Sequence, residues 1–295
     1  MYDFNEPLEI QIPAAEILGY IESELVGTHH RLGFRGQQNA AWNLRPSLAR
    51  FLSRLKEKGQ IDQSATFETV EHRVKNEFRK NLLLNRDLTP EQLNSVDLWQ
   101  YGQHFGLPTP LLDWTHSAYV GLFFALAEDA AVNENGQVQP RCLWVMDLEL
   151  LALINSQIQE DVWPRMKGMI KPEEYLMQQV PILEVVGEID GYNRRIGYQQ
   201  GFFTKHVFYE SLEAWATRIA AVVSHECWNY PFLRKITFAP DEKQRSSILV
   251  NLDKMNVNSR TLFPDIQGSV AQTCFALEHP RKQGTLTFSG TTRRR

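Results

Sequence analysis

Apolar residues recur every three or four positions along several stretches of this chain, which is the spacing expected of helices with one buried face. The clearest case is 64–85, where apolar positions fall at 67, 70, 74, 78, 82 and 83 and Ser64, with Glu68 nearby, indicates the helix start. Pro13 and Pro90 stand at or next to the first turns of two further helices. The spacing predicts helices within residues 14–27, 47–52, 64–85, 89–106, 116–129, 206–223 and 246–257.

Short runs of aliphatic and aromatic residues between turn-forming residues indicate strands. Residues 29–37 form one such run, with Arg35 at its exit, and 141–148 and 232–240 predict two more. The aromatic, glycine-interrupted stretch 191–209 fits a strand or a bulged loop lining a cleft. This mixture of helices and strands predicts an α+β (mixed α/β) fold.

The order of the elements predicts a single domain over 28–280, because neither an internal repeat nor a long low-complexity linker interrupts it. Its densest motifs lie within 28–130, and a C-terminal part follows at 190–275. Residues 1–27 are predicted to form a helical extension, and 281–295 a C-terminal tail.

The composition argues against a general nucleic-acid-binding protein and against a disulfide-rich one. The chain has 295 residues, of which 43% are hydrophobic and 22% charged, so it can bury a sizeable core. With 31 basic and 35 acidic residues the net charge is -4, which predicts no general binding to nucleic acid. Three cysteines, Cys142, Cys227 and Cys274, are too few and too widely spaced for a disulfide framework, so a reducing compartment is expected.

The longest apolar stretch, 119–127, is about half of the roughly 18 to 20 residues that span a bilayer, which predicts no membrane crossing. The N-terminal residues lack the basic-then-apolar order of a secretory signal. A cytoplasmic location is therefore expected.

Arg35 is the first candidate for chemistry. A guanidinium at a strand exit binds a phosphate or a carboxylate through two donors, and the adjacent Gly36 would let a ligand approach the backbone. The structural alternative is an ion pair with a carboxylate at the edge of the core, such as Asp113.

The stretch 103–115 is the densest candidate. It contains two prolines and a glycine, so it must be an ordered loop or a short strand before the helix at 116–129, whose N-cap is Thr115 or Ser117. A helix N-terminus favours an anion such as a phosphate. In the structural alternative, Asp113 caps the helix, Trp114 packs in the core and His104 bonds a backbone carbonyl. Its candidate residues are Gln103, His104, Thr109, Asp113, Trp114 and Thr115.

A third group, 199–202, places two amide side chains beside a glycine and an aromatic ring. Such amides hydrogen-bond to another amide or to the edge of a base, or they satisfy buried backbone groups. His206 and Glu210 lie one turn apart without an evident third ligand, which favours an ion pair on a helix surface over a metal site. No metal site is predicted. The chain also lacks the GxGxxG, GxxxxGK[ST] and GxSxG motifs.

FRGQ at 34–37, WNLRPSL at 42–48, QHFGLPT at 103–109 and LLDWT at 111–115 together resemble the FRG-domain family. QQGFFT at 199–204, KI at 235–236 and LFPD at 262–265 fit the family's extended pattern, so the resemblance covers most of 28–275. One departure is Pro110, where the family usually has arginine.

The order of an aromatic-Arg-Gly strand, a later hydroxyl motif and a helix with an FFA core is also similar to the ADP-ribosyltransferase superfamily. That second resemblance implies a small split sheet flanked by helices, with NAD as substrate and no permanently bound cofactor. It implies catalytic roles for Arg35 on phosphate, Asp113 on the developing cation, His104 as acid or base, and Gln200 at the third-motif position. The residues it implies as ligand contacts are Phe34, Gly36, Gln37, Gln103, Thr109, Trp114, Thr115, Gln199, Gly201 and Phe202.

Three functions follow as hypotheses. The resemblance implies an NAD-consuming transferase or glycohydrolase, a toxin-like effector in bacterial or phage-related defence. A noncatalytic module that senses a nucleotide-like ligand through the same cleft is the second. The third is a protein-interaction module, for which Phe202 and Phe203 should be exposed.

Overall fold

A seven-stranded mixed sheet runs through the centre of the protein. The computed structural model describes residues 8–85, 88–95, 97–129, 138–167, 180–187, 194–223 and 231–279. Its strands are β1 Leu8–Gln11, β2 Leu32–Gln37, β3 Leu111–Thr115, β4 Arg141–Asp147, β5 Glu184–Val186, β6 Gly201–Lys205 and β7 Leu233–Phe238. They lie in the order β1-β7-β4-β2-β3-β6-β5. All neighbours are antiparallel except β1, which is parallel to β7.

Helices cover both faces of this sheet. Their bounds are α1 Ile17–Tyr20, α2 Ser47–Glu57, α3 Phe67–Asn85, α4 Pro90–Ser95, α5 Leu98–His104, α6 Ala118–Leu126, α7 Leu148–Gln157, α8 Trp163–Met166, α9 Arg194–Tyr198, α10 Leu212–Ala220, α11 Glu242–Lys254, α12 Ser259–Leu262 and α13 Ile266–Glu278. A 3₁₀ turn, Ala14–Glu16, precedes α1, and π-helical turns follow α1 at Ile21–Val26 and α7 at Ile158–Val162. The predicted mixed α/β fold is confirmed.

Strand β4 lies between two hydrophobic cores, because successive side chains of a strand point to opposite faces. Leu143 and Val145 belong to the core under α6 and α11, whereas Trp144 and Met146 belong to the core under α7 and α10. Both faces are therefore covered, and six of the seven residues of β4 are buried.

Strand β1 adds a seventh strand that the sequence pattern did not predict. Leu8 pairs with Arg234 and Gln11 with Thr237, so the first described residues form an edge strand beside β7, the last strand in chain order. The predicted helix at 14–27 follows it, and its buried residues Ile17 and Ile21 join the core under α6.

Several predictions of secondary structure need correction. The helix predicted at 89–106 is two helices, α4 and α5, because Asp97 accepts hydrogen bonds from the backbone N–H groups of Trp99 and Gln100 and starts a new helix. The start predicted at Ser64 lies at Phe67, where Thr66 accepts a bond from the Thr69 N–H. Residues 194–198, predicted within a strand or bulged loop, form α9.

Among the described helices, none combines the length with the hydrophobicity needed to cross a lipid bilayer.

Candidate functional site

Strands β2 and β3 separate within the sheet and leave an opening between them. These neighbouring strands share a single register pair, Phe34 with Thr115, and then diverge, whereas β2 pairs with β4 along its whole length. A cavity of about 370 Å³ lies at this divergence. Its walls come from β2, β3, β6, α5, α6 and α9 and from Phe263 after α12.

Arg35 crosses this gap. Its Nη1 donates to the backbone carbonyl of Asp113 at 2.7 Å and lies 3.4 Å from the Asp113 carboxylate. The Arg35 side chain is 22% exposed and Asp113 is 62% exposed, so the anion is the more accessible partner. The Nε of Arg35 is buried without a hydrogen-bond partner among the described residues. The pairing proposed as the structural alternative is present, and both residues also line the cavity.

A chain of hydrogen bonds orients Asp113. Gln103 donates from Nε2 to Asp113 Oδ1 at 2.8 Å, and the hydroxyl of Thr109 donates in turn to Oε1 of Gln103. Thr109 is fully buried, and its backbone N–H donates to the hydroxyl of Ser47 at 2.9 Å. Since each link is fixed by the next, the carboxylate is held in place by α5 and by the start of α2.

His104 lines the cavity beside this carboxylate system. Desolvation lowers the pKa of the imidazole, and the nearby Arg195 guanidinium lowers it further, while Asp265 opposes the shift. A histidine with a lowered pKa is neutral at pH 7, so His104 is available as a proton acceptor.

Aromatic rings form the apolar part of the wall. Trp114 and Phe202 line the cavity, although each is only 3% exposed, and their rings stack on each other at 6.5 Å. Phe124 and Phe263 meet edge to face at 6.0 Å on the same cavity. The indole N–H of Trp114 donates to the hydroxyl of Thr204, which anchors Trp114 in the core.

Gly36 is required by helix packing. A Cβ at this position would lie 2.0 Å from the carbonyl oxygen of Gly121 and 2.4 Å from the backbone N of Ala125, both on α6. A Cβ at Gly33 would lie 2.5 Å from the ring of Phe202. The glycine beside Arg35 thus lets α6 pack directly on β2, whereas the sequence predicted that it would let a ligand approach the backbone.

Three of the sequence-derived candidates lie off the cavity wall: Gln37, Thr109 and Gln200. Gln37 is buried and accepts a hydrogen bond from the indole of Trp144 at 2.8 Å. Gln200 is exposed at a positive φ of 48°, and its carbonyl accepts from the His116 N–H, so the bend before β6 is its visible role.

The remaining candidates meet at the cavity: Phe34, Arg35, Gly36, Gln103, His104, Asp113, Trp114, Thr115, Gln199, Gly201 and Phe202. Two of them, Thr115 and Gln199, also form hydrogen bonds with neighbouring backbone groups. The Thr115 hydroxyl donates to the Gln199 carbonyl at 2.6 Å, and the Gln199 amide donates to the Leu262 carbonyl at 3.0 Å. Ser117, not Thr115, is the N-cap of α6.

Sequence reasoning missed several wall residues. Gln100 lies one turn before Gln103 on α5, and Arg195 lies four residues before the predicted Gln199. Helical spacing could have found the first, but the second needed the prediction of α9. Other missed wall residues are Gln38, Phe124, Ile196, Phe203 and Phe263.

The ion pair predicted for His206 and Glu210 is wrong. His206 is fully buried, and its Nε2 lies 3.3 Å from the Thr204 hydroxyl, while Glu210 bonds Arg218. A different group, His30 with Asp147 and Glu149, has ligand atoms close enough to surround an ion. Asp147 is already the N-cap of α7 and pairs with His30 at 3.1 Å, which accounts for the group without a metal.

Comparison with known proteins gives one match. Residues 30–134 match the family model of the FRG domain, a span that includes β2, α2 to α6 and β3. No curated protein matches this chain. No solved structure matches it either.

Proposed function

We propose that the cavity between β2 and β3, two strands within the residues 30–134 that match the FRG-domain model, binds NAD and that this site breaks its nicotinamide–ribose bond. The observation that supports this proposal is the meeting of a guanidinium, a carboxylate and an imidazole with aromatic rings on one cavity wall. A volume of about 370 Å³ is within the range of small-molecule sites.

Arg35 would hold the anionic part of the substrate. Its guanidinium lies on the cavity wall and its buried Nε has no partner among the described residues. A charge-assisted bond to a phosphate oxygen would satisfy such a donor. Binding through Arg35 would also weaken its contact with the Asp113 carboxylate, which is already long at 3.4 Å.

Asp113 would act on the sugar. When the bond between ribose C1′ and the nicotinamide nitrogen breaks, the electron pair leaves with nicotinamide and positive charge develops on the ribose. An oriented carboxylate stabilises that charge, whereas an amide at Gln200 cannot supply it. Asp113 is exposed to the cavity and held by Gln103, which fits this role.

The reaction is completed by a nucleophile. Water attacking C1′ gives ADP-ribose, and a side chain of another protein gives an ADP-ribosylated product. In either case the nucleophile loses a proton, and the neutral imidazole of His104 on the cavity wall is positioned to accept it. Toxin-like action in bacterial or phage-related defence is the biological role proposed for such an activity.

The protein-interaction hypothesis required Phe202 and Phe203 to be exposed. They are 3% and 4% exposed, and Phe202 stacks on His116 at 4.5 Å. These rings therefore belong to the interior, and that form of the hypothesis is wrong.

The test combines turnover with binding. Purified wild type, Asp113→Asn, Arg35→Ala and the exposed control Arg73→Ala are incubated with NAD, and free nicotinamide and protein-bound ADP-ribose are measured by mass spectrometry. We expect Asp113→Asn to lose at least about 100-fold in turnover while NAD still raises its melting temperature. Arg35→Ala should lose both effects, and Arg73→Ala neither.

Wild type without turnover would refute the enzyme. If NAD then still stabilised wild type but not Arg35→Ala, the cavity would be the ligand site of a noncatalytic sensor. Equal turnover in wild type and Asp113→Asn would refute the role given to the carboxylate.

A further inference from the structure

A second guanidinium, that of Arg195, lies on the wall of the same cavity. Arg195 belongs to α9, a helix that the sequence pattern did not predict, and its side chain is 24% exposed. Its Nε donates to the Asp265 carboxylate at 2.9 Å, Nη2 donates to the same oxygen, and Nη2 also reaches Oε1 of Gln267 at 3.2 Å.

The partner of Arg195 is itself held rigidly. Asp265 is the N-cap of α13 and accepts hydrogen bonds from the backbone N–H groups of Gln267 and Gly268. The bond from Arg195 and these helix donors lower the pKa of the Asp265 carboxyl. The guanidinium carbon of Arg195 also lies 5.4 Å from the centre of the Phe263 ring. These contacts keep the guanidinium in one orientation without help from a ligand.

The pair presents only its positive member to the cavity. Arg195 and Phe263 line the wall, whereas Asp265 and Gln267 do not. An ion pair that only fastened α13 to α9 would not need this arrangement. A cation that lines a cavity whose wall does not include its counter-charge is typical of a preorganised anion site.

We propose that Arg195 is a second anion-binding residue of the cavity and that, together with Arg35, it selects ligands with two linked anionic groups, such as the diphosphate of a dinucleotide. This inference rests on the proposed function for the identity of the ligand, but its chemistry is tested separately. Two guanidinium groups on one cavity bind a diphosphate better than a single phosphate, because each oxygen cluster gains a charge-assisted pair.

Inorganic pyrophosphate and orthophosphate are the probes, measured by isothermal titration calorimetry on the full chain. We expect wild type to bind pyrophosphate at least about tenfold more tightly than orthophosphate, a difference of about 1.4 kcal/mol. Arg195→Ala should lose this preference. The matched control is Arg260→Ala, which removes an exposed arginine of α12 that is not on the cavity wall.

Asp265→Asn separates binding from a purely structural role. Asparagine is also a good N-cap, so α13 should keep its start. The asparagine side-chain oxygen can still accept a hydrogen bond from Arg195 and keep the guanidinium oriented, so the loss of the negative charge alone should raise the affinity for pyrophosphate several-fold. If the pair only fastened α13, this variant would unfold at lower urea and bind pyrophosphate no better than wild type, which would overturn the inference. Asp265→Asn carries the test alone if Arg195→Ala fails to fold.

The remaining outcomes are distinct from those of the NAD assay. Loss of pyrophosphate binding in folded Arg195→Ala supports the inference even if wild type never turns over NAD. Normal pyrophosphate binding by Arg195→Ala, or none by wild type, overturns it even if NAD is consumed.

Discussion

Acid should destabilise this protein through His206. This side chain, in the residue that follows β6, is fully buried. The Phe208 ring lies 4.8 Å from the imidazole, whose Nδ1 has no hydrogen-bond partner among the described residues. Its Nε2 lies 3.3 Å from the Thr204 hydroxyl, which also accepts the Trp114 indole N–H. Desolvation lowers the pKa of His206 to about 3, and the charge of Arg35 contributes in the same direction.

The direction and size of the effect follow from the two pKa values. In the unfolded chain a histidine has a pKa of about 6.5. The folded state binds the proton less well than the unfolded state, so this contribution to stability is complete above pH 6.5. It falls as the pH drops from 6.5 toward the folded value. At pH 5 the unfolded state gains about 2 kcal/mol from protonation of this residue, whereas the folded state gains almost nothing.

The assay is urea unfolding at pH 8, 7, 6 and 5, with wild type beside His206→Gln. Glutamine is neutral at all four pH values and keeps a hydrogen-bonding group near Thr204. Carboxylates and the other histidines titrate in both proteins, so their effects cancel in the comparison. Between pH 8 and pH 5, wild type should lose about 2 kcal/mol more than the variant. His72→Gln, at an exposed position on α3, is the control and should behave as wild type.

Parallel stability curves for wild type and His206→Gln would refute the reasoning. They would mean that His206 is protonated in the folded state or that water reaches its Nδ1. The expected difference at pH 5 hardly depends on the folded pKa as long as that value stays below about 4.

Three further predictions concern packing and the site. Gly36→Ala would place a Cβ 2.0 Å from the carbonyl oxygen of Gly121, so we expect about 3 kcal/mol or more of destabilisation in urea unfolding, and a loss below 1 kcal/mol would contradict the packing argument. Arg141 is buried and donates to carbonyl oxygens in the last turn of α6 and just after it. Arg141→Met should lower the free energy of unfolding by about 3 kcal/mol in the same assay, and an unchanged urea midpoint would contradict this. Thr109→Val keeps the shape but removes the hydroxyl that holds Gln103, so NAD turnover should fall about tenfold with folding intact, and full turnover would argue against the hydrogen-bond chain.

Much of the secondary structure could be predicted because its causes are local. Strand β4 and helix α6 have strong apolar patterns, and Pro46 precedes α2 as its N-cap. The missing elements have weak patterns. Strand β1 has four residues, and its position depends on pairing with β7, which no local pattern encodes.

The candidate site was predicted in part for a similar reason. Arg35, Gln103 and Asp113 lie in dense motifs, and the chain brings them to one cavity. The assignment of Gln200 came from resemblance rather than from chemistry, and the structure places it off the cavity wall. Arg195 could not be assigned because its significance depends on Asp265, a residue distant in sequence.

Because β1 pairs with β7, the sheet can be completed only after β7 has been synthesised. On the ribosome the residues of β1 emerge well before those of β7, which include Arg234 and Thr237. Until that segment is made, β1 has no neighbour and the outer edge of β4 is open. The nascent chain thus has unpaired strand edges until β7 is made, and such edges can pair with strands of other chains. Final closure of the sheet should be slow and should depend on a contact between distant parts of the sequence.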